Sequence, residues 1–171
     1  MMDFVSAHFQ EIWVAVAGVA FVAGLGGVLT DVGPWYEGLR FPRLRPPNWL
    51  FGPAWTLIFA LIAAAGVIAW NAAPDAQTRR LLIALLALNG VLNVAWSPLF
   101  FMLRRPDWAF IELVPFWLSI VALVAFMLPF SPHAAALLAP YLLWVTFAGW
   151  LNWRIVGLNA PFGRATERAR R

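Results

Sequence analysis

From Leu113 to Trp153 the chain runs for 41 residues without an Asp, Glu, Lys or Arg. Three shorter charge-free runs precede it, Ile12–Thr30, Pro46–Pro74 and Leu81–Leu103. A transmembrane helix needs about 20 consecutive apolar residues. In hydrocarbon, every backbone amide must also find its partner inside a helix or a closed barrel. Each shorter run therefore makes one span. The longest, broken near its middle by Pro129, Ser131 and Pro132, makes two joined by a tight turn. The expected fold class is an all-α integral membrane protein, a five-transmembrane-helix bundle with a structured loop between helices 1 and 2. The spans are expected at about 9–29, 49–72, 79–103, 107–129 and 134–156. Composition agrees, with 63% apolar and 12% charged residues, where a soluble domain carries about 25% charge.

Residues 1–171 read as one membrane domain without a linker or an internal repeat. The first span does not read as a cleaved signal, because Asp3 and Glu11 flank its start and no basic segment precedes it. The absence of cysteine excludes disulfides and thiolate metal sites. All 12 basic residues are arginine, and ten of them lie in the first loop, the third loop and from Arg154 onward. The positive-inside rule then puts the C-terminus and the long first loop in the cytoplasm and the N-terminus outside. The net charge of +4 is no nucleic-acid signal here. The basic tail, residues 157–171 with RATERARR at its end, is short and juxtamembrane, and it suits anionic lipid headgroups.

The run PPNWLFGPAWTLIF, Pro46–Phe59, holds three prolines, a glycine and two tryptophans at the start of an apolar segment. A helix that only anchors needs none of them. It follows the loop WYEGLRFPRLRPP, whose prolines and aromatics (Trp35, Tyr36, Phe41) favour an ordered cap over a disordered linker. Asn89, Asn93 and Ser97 recur every four residues and form one polar stripe, which must face the bundle interior. Such a stripe serves interhelical hydrogen bonds or a ligand. Trp144, Ala148 and Asn152 repeat the spacing and leave a notch beside a flat wall, suited to a planar ligand or to a bulky neighbour. Trp55, nearly two turns into its span, and Phe59 one turn deeper are expected to meet Trp144 and Asn89.

Other features read as structural. Trp13, Trp35, Trp49, Trp70, Trp108 and Trp153 lie near span ends, as interface anchors do. Pro53, Pro98, Pro115 and Pro140 fall inside the last four spans and are expected to bend them. Ala20–Gly24 and Ala23–Gly27 are spaced for close helix approach, within the bundle or at a dimer seam. Glu112 is expected to pair with Arg154, and His8 and His133 to sit at the surface on one side. No carboxylate pair, phosphate-binding loop, zinc motif or nucleophile–base pair is visible. No two intramembrane acids line up as a proton path.

Trp35-Tyr36, PPNWLFGPAW from Pro46, NVAWSPLFF from Asn93 and PYLLWVTFAGWLN from Pro140, in this order on five spans, carry a resemblance. The chain resembles the tryptophan-rich sensory protein / translocator protein family (TspO, or peripheral benzodiazepine receptor), from its first helix to about Asn159. The resemblance implies a five-helix bundle, usually a homodimer, whose first loop closes a pocket open toward the cytoplasm. It implies porphyrins such as protoporphyrin IX and haem as ligands, with synthetic isoquinoline carboxamides and benzodiazepines, and cholesterol in animal members. No cofactor is required. The pocket positions it carries over are Tyr36, Pro46, Trp55, Phe59, Asn89, Trp144 and Ala148. Bacterial relatives are linked to tetrapyrrole regulation and stress responses, and some are reported to degrade protoporphyrin in light.

Two departures stand out. Many relatives carry glutamine where this chain has Asn89. The cholesterol motif of animal members is absent, since Tyr141 lies far before Arg154. A chance match to such a motif, Val32-x3-Tyr36-x3-Arg40, lies in the loop. The leading functional expectation is a membrane receptor or carrier for porphyrin-type ligands. Charge and position suggest Arg40, Arg43 or Arg45 for the propionates. The alternative is light-dependent oxidative degradation of protoporphyrin IX, with Trp55 as the catalytic candidate. A further alternative is a lipid-binding membrane assembly or interaction protein.

Overall fold

The computed structural model describes residues 9–163. His8, Asp3 and the RATERARR tail lie outside the described residues. The chain forms α1 (Phe9–Val28), a short α2 in the loop (Pro34–Glu37), α3 (Asn48–Ala72) and α4 (Ala76–Ser97). A π-helical segment, Pro98–Met102, continues α4 and is followed by α5 (Pro106–Met127), α6 (Pro132–Leu137) and α7 (Ala139–Asn159). Among the described residues five segments are long and apolar enough to cross a membrane: Phe9–Val28, Asn48–Ala72, Ala76–Met102, Pro106–Met127 and Pro132–Asn159. The five-helix membrane bundle expected from the charge-free runs is the fold observed.

Local chemistry sets the helix ends. Asp75 caps α4, its Oδ1 accepting from the Thr78 amide at 2.7 Å. That amide holds the exposed carboxyl below its ordinary range. Pro53 and Pro115 lie inside α3 and α5 as expected. Pro98 instead marks a change of pitch, with the Leu103 amide donating to its carbonyl at 2.9 Å across a π turn. Pro140 corrects the expectation of a bent fifth span. The segment breaks at Leu138, and Pro140 occupies the first turn of α7, where its missing N–H costs no intrahelical bond.

The spans close into a ring in which α1 packs on α3 and α4, α4 on α5, α5 on α7, and α3 on α6 and, sparsely, α7. Two apolar clusters divide the ring along its axis. One joins Ile58, Ile62, Ala65 and Ala69 of α3 to Phe116, Ile120 and Leu123 of α5 and Tyr141 and Val145 of α7. The other gathers Phe100, Phe101, Ala109, Leu151 and Ile155 beneath loop residues Trp35, Tyr36 and Phe41. α1 contributes no buried residue. Its glycines do not serve close packing within the bundle, as a Cβ at Gly24 or Gly27 would meet nothing within 4 Å. The tight approach lies at Gly90 of α4, whose Cβ would come within 3.2 Å of Val22.

Candidate ligand cavity

A cavity of about 480 Å³ is framed by all five spans and the first loop. α1 supplies small residues, Ala23, Gly26 and Gly27, so the wall there is backbone and methyl. α3 turns Phe51, Trp55 and Phe59 inward, α4 Asn93, Trp96 and Ser97, and α7 Trp144, Ala148 and Asn152. Tyr36 and Val32 reach it from the loop. Ligand pockets span roughly 300–1,000 Å³ and are mostly apolar with a few placed polar groups, and this one has that character.

Aromatic rings make the wall. Trp55 stacks on Phe59 at 5.4 Å between centroids and meets the edge of Tyr141 at 6.2 Å. Trp96 stacks on Phe100 at 4.8 Å. Phe51 of α3 meets Trp144 of α7 edge-on at 5.6 Å, bridging the most sparsely packed seam of the ring. Two polar atoms of the wall lack a partner: the buried indole Nε1 of Trp96, a donor, and Oδ1 of Asn152, an acceptor. Asn152 is 1% exposed and donates its Nδ2 to the Pro106 carbonyl at 3.1 Å. That bond orients the amide and leaves Oδ1 as the free end.

Behind the wall runs a closed polar network. Tyr141 donates its hydroxyl to Asn89 Oδ1 at 3.1 Å and accepts from Asn93 Nδ2 at 3.2 Å. Asn89 Nδ2 donates to Ser119 Oγ at 2.8 Å, and Ser119 donates to the Phe116 carbonyl at 2.7 Å. Satisfied networks of this kind rigidify a core, since any unpaired member at this depth is costly.

The loop caps the cavity. Trp35 packs on Phe100 at 5.9 Å and Tyr36 on Phe41 at 5.1 Å. The Arg45 guanidinium lies 3.7 Å over the Phe41 ring, 3.5 Å from the Tyr36 hydroxyl, and donates to Asn48 Oδ1. Burial pushes the Tyr36 hydroxyl above the ordinary tyrosine value, and the neighbouring Arg45 charge partly offsets this. Asn159 at the end of α7 holds the loop in register. Its Oδ1 accepts from the Arg40 amide and its Nδ2 donates to the Arg40 carbonyl, both at 2.8 Å.

The structure brings Tyr36, Trp55, Phe59, Trp144 and Ala148 around one cavity and leaves Pro46 and Asn89 off its wall. Asn89 is 4% exposed because both ends of its amide are occupied by Ser119 and Tyr141. Asn93 and Ser97, one and two turns on, are the stripe members at the cavity, on either side of Trp96 in sequence. Arg40 is engaged through its backbone, and Arg43 lines a separate hollow. Only Arg45 contacts cavity residues. The expected Glu112–Arg154 pair does not form: both Glu112 oxygens are buried without a hydrogen-bond partner, and Arg154 lies over Trp153 at 5.7 Å. Trp35 packs under the lid, and Trp70 packs against the core beneath Arg79, so neither is a simple interface anchor. His133 is exposed at the start of α6.

Sequence reasoning passed over Trp96, which lines the cavity, and Tyr141, which ties together the network behind it. The signal for Trp96 was its place three residues after Asn93 on the inward face. Tyr141 had no such signal, being one of two tyrosines in a run of apolar residues. Among the described residues no three His, Cys, Asp or Glu side chains converge to hold a metal.

Comparison with known proteins matches this architecture. Residues 13–158 match the profile of the TspO/MBR family. The chain is 36% identical over 148 residues to the tryptophan-rich protein TspO of Archaeoglobus fulgidus, covering 85% of this chain and 93% of the relative. It is 33% identical over 137 residues to protein CrtK of Rhodobacter capsulatus, covering 80% and 86%. It is 32% identical over 150 residues to the translocator protein of Bos taurus, covering 84% and 89%. With the family profile spanning the bundle from α1 to the end of α7, the chain belongs to the TspO/MBR family.

Proposed function

We propose that this protein is a membrane receptor or carrier for porphyrins such as protoporphyrin IX and haem, and for related flat apolar ligands including isoquinoline-type compounds, serving tetrapyrrole metabolism or a stress response. The observation that carries this reading is the cavity of about 480 Å³ walled by Trp55, Phe59, Trp96 and Trp144. Indole and phenyl faces suit a flat, delocalised ring system. Arg45, held against Tyr36 and Asn48 at the rim, is the arginine suited to a propionate. The protein sits in a bacterial inner membrane with the loop and C-terminus cytoplasmic, as the arginine distribution favours. It works there as a homodimer surrounded by membrane lipid, as the family resemblance implies.

A second reading has its own support. Trp55 lines the cavity and Tyr141 lies behind it, their ring centroids 6.2 Å apart, so one oxidisable ring would adjoin a photosensitiser bound there and a second would stand next to the first. Light-dependent oxidative breakdown of protoporphyrin IX, with dioxygen as the oxidant, would then use Trp55. One experiment separates the readings: quenching of tryptophan fluorescence by protoporphyrin IX, in the dark and then in light, for wild type and Trp55→Phe. Saturable quenching with an unchanged porphyrin spectrum is the expected result. Bleaching in light that Trp55→Phe abolishes would establish degradation, and absence of saturable quenching would leave a lipid-holding interaction protein.

A further inference from the structure

A second hollow, of about 350 Å³, shares no residue with the aromatic cavity. Pro42, Arg43 and Leu44 of the loop form one side, and Trp150, Trp153 and Arg154 of α7 the other. Its existence follows from the reciprocal Asn159–Arg40 hydrogen bonds, which set the loop beside the end of α7. Two guanidiniums thereby line one hollow. Among the described residues the single ion pair joins Arg105 to Asp107, so neither Arg43 nor Arg154 has a carboxylate partner. An anion seated between them is attracted by both charges. Arginine meets a phosphate through two parallel N–H donors, which makes it suited to hold one from each side. The helix adds nothing favourable, since the partially negative C-terminal end of α7 lies at this level. Recognition rests on the side chains.

The surroundings say which anion. Leu44 is 72% exposed and Trp153 52% exposed, on either side of the arginines. Arg154 lies near the end of a membrane-spanning segment, at the depth where tryptophans meet headgroups. A small soluble anion would leave those apolar faces uncovered. We propose that this hollow is a headgroup site for an anionic phospholipid. Arg43 and Arg154 share its phosphate, while Leu44, Trp150 and Trp153 lie along its glycerol and upper acyl chain. A zwitterionic lipid carries its own ammonium and leaves one guanidinium uncompensated, so the site selects net negative charge. Because Arg43 belongs to the lid and Arg154 to α7, the bound lipid also fastens the lid beside Asn159.

The test uses the full-length protein in detergent, titrated with dioleoyl phosphatidylglycerol or dioleoyl phosphatidylcholine, with bound lipid read by native mass spectrometry and stability by thermal melting. Phosphatidylglycerol is expected to stay bound and raise the melting temperature. R43Q/R154Q is expected to weaken that binding by about 30-fold, while R80Q at the far end of the bundle leaves it unchanged. Equal effects of the two lipids, or an unaltered response of R43Q/R154Q, would overturn the proposal. So would a matching shift from soluble glycerol 3-phosphate alone, which would make the site one for small phosphates. Should the double variant fail to fold in phosphatidylcholine, the single variants decide: R43Q and R154Q must each weaken phosphatidylglycerol binding, and an unaltered response in both overturns the proposal.

Discussion

The hydroxyl of Tyr141 donates to Asn89 Oδ1 at 3.1 Å, and this bond closes the polar network behind the cavity wall. It ties α7 to α4 behind Trp55, whose ring rests edge-on against the same tyrosine at 6.2 Å. Tyr141→Phe would leave Asn89 Oδ1 and Asn93 Nδ2 without their shared partner while keeping the ring. The expected cost is about 1–2 kcal/mol, read as a lower melting temperature in detergent. Asn89→Leu is expected to destabilise similarly, with little direct effect on ligand affinity. Asn93→Leu, altering the cavity wall itself, is expected to change affinity. Equal binding effects of the two asparagine variants would contradict this division.

Trp96 makes the opposite prediction. Its Nε1 has no partner, so Trp96→Phe removes an unsatisfied buried donor and is expected to leave the melting temperature unchanged or raised. A porphyrin or isoquinoline ligand that accepts from this indole is expected to bind about threefold to tenfold more weakly to the variant. Calorimetric titration of wild type and Trp96→Phe measures the difference.

One side chain at the end of α7 hydrogen-bonds the lid backbone on both sides. Asn159→Ala removes both hydrogen bonds to the Arg40 backbone. Both are exposed, so the loss in global stability is expected to stay below about 1.5 kcal/mol. Amide hydrogen exchange in the loop should quicken while that of α5 and α7 stays unchanged, and ligand dissociation should accelerate.

Tyr36 gives the lid a pH dependence with a defined sign. Burial raises its folded pKa above the ordinary tyrosine value, so below that value the hydroxyl is protonated whether the lid is folded or not. As pH rises past it, the unfolded chain ionises first and lid stability is lost through the folded pKa. The difference in phenolate absorbance between wild type and Tyr36→Phe is expected to show a midpoint above 10.0, the unperturbed value. Arg45→Gln should move that midpoint further up, because the Arg45 charge opposes the shift.

The spans were legible because hydrocarbon tolerates so little. Charges at Glu11, Asp31, Arg45, Asp75, Arg80, Arg104, Glu112 and Arg154 delimit the apolar runs, and the helices follow most of them closely, although α5 begins at Pro106, before Glu112, and α7 runs past Arg154 to Asn159. Trp55, Trp144 and Ala148 were legible through depth and four-residue spacing, which put side chains on one inward face. Spacing says which face points inward but not what waits there. Asn89 and Asn93 share a stripe, yet Ser119 and Tyr141 claim the first and the cavity receives the second. Glu112 and Arg154 lie toward the same end of their spans but remain apart, because facing depends on helix rotation as well as on depth.

The amino-acid sequence by itself determined five apolar helices, their approximate limits, the aromatic and proline-rich lid and the face each polar stripe presents. These depend on local pattern, on period and on the exclusion of charge from hydrocarbon. Only the tertiary structure decided that Tyr141 closes the network behind Trp55, that Trp96 and Asn152 keep free polar atoms at the cavity, and that Arg43 stands with Arg154 and not with Arg45. Each of these joins residues far apart in the chain, and the relative rotation of two helices, set by packing all along their length, determines which side chains meet.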